Sequence, residues 1–436
     1  MGKGQSLYKY AKKIIPGGTQ IFSKRPEIFL PDNWPSYYQR AKGVYVWDLD
    51  GNSYIDATHN GLGASILGYA DDDINKAVIE AIESGSITTL NCPEEVELAE
   101  LLIKYHPWAE MVRYARTGGE AVSIAIRIAR AATEKEIILF CGYHGWHDWY
   151  LAANLEDDKA LDGQLLPGLS SSGVPRSLKG SAIPFEYNNF DSLIDLTKRY
   201  KDKTAAIIME PTRNIGPDDG FLNMVRELAS ENNIVLIFDE VTSGFRMCPG
   251  GVHRVMNVNP DIAIFAKAIA NGFPMAAIIG RKNVMNAAQN TFISSAFWSE
   301  KIGPVAALAT IKKCIKYDVY SHINKIGLKI KKIWKDNSDK FGLPIEIAGI
   351  PPLSIFSFLG KDVMIKQTIF TQEMLKHGFL ASNAFYVLWK HDEKIIKKYS
   401  KAIEKVFELI RNASESKSLD KILNGPVRHS GFKRLT

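Results

Sequence analysis

The sequence predicts an α/β protein: a mostly parallel central sheet with helices on both faces, and a smaller α+β part drawn from both ends of the chain. Three observations predict it. From about residue 110 short apolar runs alternate with amphipathic helical stretches, the pattern that builds parallel sheets by crossover connections. The runs lack polar alternation, Ile234-Val235-Leu236-Ile237-Phe238 being the clearest, as suits strands buried on both faces. Several runs stop at a charged residue, Glu210, Asp239 or Lys267, at the strand ends where open α/β sheets bind ligands.

Taken in order, Pro16-Gly17-Gly18 reads as a turn, and Gly43 to Asp56 as a hairpin around Asp50-Gly51-Asn52. Gly61, Gly63 and Gly68 make a turn-rich stretch, followed by helices over Asp72–Ser84 and Glu94–Tyr105. The alternating region then gives strands at 111–115, 136–141 and 204–209, helices at 119–132 and 220–231, and the strands ending at Asp239 and Lys267. Residues 155–185, rich in Gly, Ser and Pro, read as one long loop. A single lysine-rich helix is expected over 305–336, with Ile323, Ile326, Ile330 and Ile333 on one side. A final helix is expected over 392–411. These elements divide the chain into an N-terminal segment (1–66) joining the small domain, a large domain (67–320) and a C-terminal small domain (321–436).

Composition narrows the function classes. The chain has 436 residues, 46% of them hydrophobic, enough for a large core and two domains. The net charge of +6 is spread over many lysines with no block of like charge, which argues against nucleic acid. Cys92, Cys141, Cys248 and Cys314 are scattered without a CxxC pair, which points to a reducing, cytoplasmic setting and no structural zinc. No apolar run has the length of a membrane span, and the first residues lack the apolar core of a signal peptide.

The chemistry centres on Asp239 and Lys267, 28 residues apart (267 − 239). A lysine at a buried strand end is costly to desolvate unless its amine is neutral or covalently engaged. A desolvated lysine with a lowered pKa is the nucleophile that forms Schiff bases. Paired with a carboxylate on the neighbouring strand, it suits pyridoxal 5′-phosphate: the lysine holds the aldehyde as an imine, and the aspartate keeps the pyridine nitrogen protonated as an electron sink. The ordinary alternatives are a helix N-cap for Asp239 and a snorkelling surface lysine for Lys267. Other pieces fit the same picture, each with its own plain reading. Thr117-Gly118-Gly119-Glu120 opens a helix whose free amides favour a phosphate, or is simply a glycine turn. Tyr143 in Tyr143-His144-Gly145-Trp146-His147-Asp148 can stack on a flat heterocycle or pack in the core. His144 and His147 lack a third metal ligand at credible spacing, so a metal is not expected. Glu210 at a buried strand end requires a partner, either the surroundings of the cofactor ring's hydroxyl or an arginine. Ser294 to Ser299 is a hydroxyl-rich cluster that can supply phosphate ligands or be a plain loop.

Phosphate cradle, aromatic, glutamate, aspartate and lysine thus follow one another on successive strand ends. In this order, and in Asp239-Glu240-Val241 with Gly244-Phe245-Arg246 and Pro260-Asp261 running into Lys267, the chain resembles the class III (ω-type) aminotransferases. Within the class it is similar to glutamate-1-semialdehyde 2,1-aminomutase over nearly its whole length. The resemblance implies the aspartate-aminotransferase-like fold (pyridoxal phosphate fold type I) and a homodimer with shared active sites. It implies Lys267 as the internal aldimine lysine and proton shuttle, and Asp239 on the pyridine nitrogen. Val241 would lie under the ring and Tyr143 over it, with His144 and Glu210 beside the cofactor and Gly118 and Gly119 on its phosphate. Departures follow too. Gly119 stands where the class usually has Ser or Thr, Ser295 is the substitute for a cross-subunit threonine, and Leu62 stands near the position of the aminomutase's tryptophan. Arg25 matches a substrate-carboxylate arginine to within a residue. The expected activity is amino-group transfer between a small-molecule amino donor and a carbonyl acceptor. The alternatives are the intramolecular aminomutase, a decarboxylase or epimerase on the same scaffold, and a non-catalytic cofactor binder.

Overall fold

The computed structural model describes residues 2–164 and 166–432. Two compact units emerge, one running from Asp72 to Tyr320, the other combining the residues up to Asp71 with those from Ser321 onward. In the unit of the chain ends, β1 (Tyr38–Lys42), β2 (Tyr45–Asp48) and β3 (Ser53–Ala57) form an antiparallel meander.

The other unit carries a seven-stranded sheet. Its strands are β4 (Met111–Ala115), β5 (Ile137–Cys141), β6 (Ala182–Pro184), β7 (Thr204–Met209), β8 (Val235–Asp239), β9 (Ile262–Phe265) and β10 (Ala276–Gly280). They lie in the order β4-β10-β9-β8-β7-β5-β6, and β10 alone runs against its neighbours. The unbroken apolar runs follow from the burial of both faces. Ile138, Phe140, Ile208, Ile237 and Ile264 pack on one side with Ala121, Ile124, Ala125 and Ile128 of the helix Gly118–Thr133. Leu139, Ile207, Met209, Leu236 and Phe238 pack on the other with Leu193, Phe221, Leu222 and Val225 from the helices Phe190–Arg199 and Phe221–Glu231. Each fully buried Leu or Ile contributes about 1.5–3 kcal/mol by leaving water, so these two layers fix where the strand ends lie.

Returning to the unit of the chain ends, β11 (Ile345–Ala348), β12 (Leu353–Phe358) and β14 (Ala384–Tyr386) make a three-stranded antiparallel sheet. The short β13 (Phe379–Ala381) instead pairs in parallel with β3. The expected hairpin is therefore part of a four-stranded sheet.

Two other expectations change. The expected 155–185 loop contains β6, a three-residue edge strand whose last residue is proline, as edges tolerate. The expected helix over 305–336 is two helices, Ile302–Lys316 and Val319–Phe341. They break at Asp318, which sits at φ +46°, a conformation that Asp tolerates better than most residues. In the second helix Ile323, Ile326 and Ile330 are buried, and Trp334 rather than Ile333 continues the stripe. The last long helix spans Glu393–Glu415, capped by the Asp392 carboxylate, which accepts from the Ile395 amide at 2.8 Å.

Candidate active site

Sheet register brings Asp239 and Lys267 together. Asp239 ends β8 opposite Ile264 of β9, and Lys267 comes three residues after Ile264. Strand alternation then separates the two adjacent acids. Asp239 Oδ1 accepts from the Val241 amide at 3.0 Å, and its Oδ2 lies 2.8 Å from His144 Nδ1. Glu240 points the other way into the core, where the Val252 and His253 amides donate to it at 2.5 and 3.1 Å. The second ring nitrogen of His144, Nε2, lies 3.0 Å from the Cys141 carbonyl. Each nitrogen thus faces an oxygen of a neighbouring residue. This explains the His144 position: it buttresses Asp239 and is fully engaged without a metal.

Lys267 adopts φ +50°, a left-handed conformation that costs a non-glycine residue of order 1–3 kcal/mol and concentrates at functional sites. Its Nζ donates to Thr242 Oγ1 at 2.8 Å. Burial pulls its pKa down from 10.5 to about 8; Arg213 adds to the shift, while Glu210 and Asp239 oppose it. The residue keeps some exposure, so the amine is crowded by protein yet reachable.

Glu210, after β7, finds its partner in Arg213, whose Nη1 donates to both carboxylate oxygens at 3.2 Å. Both residues border an open cavity of about 780 Å³ that continues past Gly142, Gln164 and Tyr187. Tyr143, after β5, is partly buried and packs edge-on against Tyr150 at 5.8 Å between ring centres; burial raises its pKa.

The helix Gly118–Thr133 begins with a full capping box. Glu120 Oε2 accepts from the Thr117 amide at 2.9 Å, and Thr117 Oγ1 accepts from the Glu120 amide at 3.3 Å. The plain reading of this turn is therefore true, and it leaves the Gly118 and Gly119 amides without a partner in the helix. A Cβ on Gly118 would lie 2.9 Å from Val241 Cγ1, and one on Gly119 would lie 3.1 Å from the His147 ring. The glycines thus keep a helix N-terminus close against Val241 and His147.

Amides for a phosphate, a carboxylate for a ring nitrogen, a flanking tyrosine and valine, and a lysine amine easily made neutral: this donor set fits pyridoxal phosphate. Thr242 and Arg213 were not anticipated from sequence. Each follows a residue that was singled out, Thr242 after Asp239-Glu240-Val241 and Arg213 after Glu210-Pro211, and that adjacency was the available signal.

Ser295 is exposed, and its hydroxyl has no hydrogen-bond partner among the described residues. Arg25 belongs to the unit of the chain ends, where its guanidinium lies over the rings of Phe22 and Phe432 at 5.4 and 5.6 Å. Leu62, in the same unit, sits at φ +64° within a left-handed run from Asn60 to Gly63, a strained setting for a bulky residue.

Comparison with known proteins gives the same direction. The model of the class-III aminotransferase family matches residues 31–380. The 3-aminobutyryl-CoA aminotransferase of Cloacimonas acidaminovorans is 31% identical over 411 residues, covering 90% of this chain and 94% of that protein. The glutamate-1-semialdehyde 2,1-aminomutase of Methanocaldococcus jannaschii is 34% identical over 434 residues, covering 94% and 98%. Among solved structures, an omega-transaminase from Sphaerobacter thermophilus superposes with a TM-score of 0.83 at 24% identity, over 94% of this chain and 98% of that one. The FumI protein of Sphingopyxis sp. MTA144, in its PLP internal aldimine form, gives 0.86 at 23% identity over 95% and 98%.

Proposed function

This chain belongs to the class-III aminotransferase family, and from that premise we propose that it transfers an amino group between a small amino donor and a carbonyl acceptor, with pyridoxal 5′-phosphate held by Lys267. The observation that carries the reading is the meeting of Lys267 and Asp239 at the ends of adjacent parallel strands, beside the glycine-opened helix. When bound, the cofactor supplies an electron sink for the pair left as a C–H bond next to nitrogen breaks.

The residues do the rest. Lys267 would hold the cofactor covalently, and its Nζ, neutral above about pH 8, is able to accept a proton from the substrate carbon and return it. Asp239, steadied by His144, would keep the proton on the ring nitrogen through a charge-assisted hydrogen bond. Gly118 and Gly119 would bind the phosphate through backbone amides, Val241 and Tyr143 would flank the ring, and Glu210 would sit beside it. Arg25 remains our candidate for a substrate carboxylate, which its planar fork suits.

We read the working unit as a homodimer with Ser295 facing the partner's phosphate site, and the setting as cytoplasmic, in keeping with four cysteines of which none forms a disulfide among the described residues. No helix among the described residues is long and apolar enough to cross a membrane. The division into a large domain (67–320) and a small domain from the remaining ends is also part of the reading.

The aminomutase stays as second reading because of the 34% identical relative. Leu62, in place of that enzyme's tryptophan, favours intermolecular transfer. Borohydride reduction of the holoenzyme followed by peptide mapping tests the site, with label expected on Lys267; label on another lysine overturns it. A panel of amino donors, read by the cofactor spectrum, tests the reaction. Formation of 5-aminolevulinate from glutamate-1-semialdehyde at about 1 per second or faster would decide for the aminomutase.

A further inference from the structure

Around the Lys267 amine, the obvious oxygen acceptors are carboxylates, yet the amine does not take one. Asp239 is engaged by the Val241 amide and His144. Glu210 is engaged by Arg213. The amine donates instead to Thr242 Oγ1 at 2.8 Å. The choice of acceptor matters. A carboxylate would form an ion pair and hold the amine as ammonium. A hydroxyl is neutral and can both accept and donate, so it can hold the amine in either protonation state.

Thr242 is also built to stay where it is. It is 4% exposed and lies in the tight turn after β8, closed by the Gly244 amide donating to the Glu240 carbonyl at 2.9 Å. Its own carbonyl accepts from Nε of Arg246 at 3.0 Å, and Arg246 is 1% exposed. Gly244 packs so closely that a Cβ there would lie 2.5 Å from the Phe265 ring. Glu240, at the start of the turn, is tied to the Val252 and His253 amides. A β-branched residue on such a turn has few side-chain rotamers open to it, so Oγ1 is a fixed point.

We propose that Thr242 is a positioning residue whose hydroxyl docks the amine of Lys267 whenever that amine is not bonded to the cofactor, holding it within reach for proton transfer and for return. This rests on the reading of Lys267 as the cofactor lysine. The depressed pKa of Lys267, about 8, is in keeping with a neutral rather than an anionic dock.

The test uses Thr242→Val, which keeps the shape and removes the hydroxyl, Thr242→Ala as a second removal should the valine variant fold poorly, and Thr242→Ser, which restores the hydroxyl. In the cofactor-free protein, the labelling rate of Lys267 by a trace amine-reactive reagent is followed against pH by mass spectrometry. A hydrogen bond to the charged amine is stronger than one to the neutral amine. Its loss should therefore move the labelling midpoint down by about one pH unit, tenfold in the protonation equilibrium. In the holoenzyme, kcat should fall about tenfold with the donor KM little changed, and Thr242→Ser should recover both readouts. A midpoint and kcat untouched in Thr242→Val and Thr242→Ala, or a serine variant as impaired as the valine one, would overturn the proposal. Borohydride mapping judges the cofactor-lysine reading separately, because the labelling profile needs no cofactor.

Discussion

The floor of the site and the segment 294–299 are built on opposite plans. On the floor, Asp239, His144 and Lys267 stand on or just after the ends of β8, β5 and β9, and their polar atoms are hydrogen-bonded to one another or to neighbours. The 294–299 segment is fastened by Trp298, which packs against the core, and by its backbone. Arg116 Nη2 donates to the carbonyls of Trp298 and Glu300 at 3.0 and 2.8 Å, while Ser295 is exposed and the Phe297 ring is 68% exposed. Chemistry common to many substrates demands groups preorganised to within a fraction of an ångström, and two buried layers supply that. A surface meant for a substrate or a second chain has to be left open. Substitutions on the floor should therefore cost rate, and those at 295–297 should cost assembly or selectivity.

The largest effect expected is at Asp239. Asp239→Asn keeps the shape and removes the charge opposite His144. Turnover should fall by roughly 10²–10⁴, the range for removing acid–base assistance, with the circular dichroism spectrum unchanged. A near-native rate would show that the floor is scaffolding rather than chemistry.

Lys267 comes next, through pH. Its folded pKa, about 8, lies below the 10.5 of a free lysine. Between those values the unfolded chain binds more protons than the folded one, so this group makes stability rise with pH across the window. Below pH 8 the folded, cofactor-free protein carries a penalty of up to about 3 kcal/mol, at 1.36 kcal/mol per unit. Lys267→Met removes it. The variant should melt higher than the parent at pH 7, and the gap should close as pH approaches 10.5. A constant gap would mean that the amine is not desolvated.

These floor residues were largely legible because an apolar run ending in a charge is a local pattern. Asp239, Lys267 and Glu210 announce themselves that way, and Tyr143 follows a buried run after one glycine. Thr242 does not: its place just after Asp239-Glu240-Val241 marks it, but its meaning lies in a contact with a residue 25 positions away, which that adjacency does not foretell. Arg213 is of the same kind. The small sheet was half legible. β2 and β3 alternate around a clear turn, but β1 is mostly exposed and β13 is three residues long, so neither carries a hydrophobic signal. The break at Asp318 escaped because apolar residues recur at helical spacing on both sides of it.

A third prediction sits between the two regions. Gly118 touches the floor through Val241, and an added methyl group would meet Cγ1 at 2.9 Å and Cγ2 at 3.2 Å. Overpacking of this sort costs about 1–3 kcal/mol. Gly118→Ala should therefore weaken cofactor binding by roughly one to two orders of magnitude. Val241→Ala in the same chain should return part of the loss, since residues in contact are not additive. Equal losses in the single and double variants would place the helix N-terminus away from the cofactor.

The smallest effect, and the one that reads the exposed segment, is at Ser295. As an exposed side chain with no hydrogen-bond partner among the described residues, it should be worth within about 0.5 kcal/mol to the stability of the isolated chain. If a second copy brings Ser295 to the phosphate, one hydroxyl is lost in Ser295→Ala. Such a bond contributes about 0.5–1.5 kcal/mol net, which is a several-fold weaker affinity for the cofactor. The effect must then depend on protein concentration, present where sedimentation velocity shows dimer and absent where it shows monomer. Parallel cofactor titrations of parent and variant across that range make the measurement. A monomer that is fully active, or a variant indistinguishable from the parent in the dimer, would leave Ser295 as plain surface, and the phosphate would then rest on the Gly118 and Gly119 amides of a single chain.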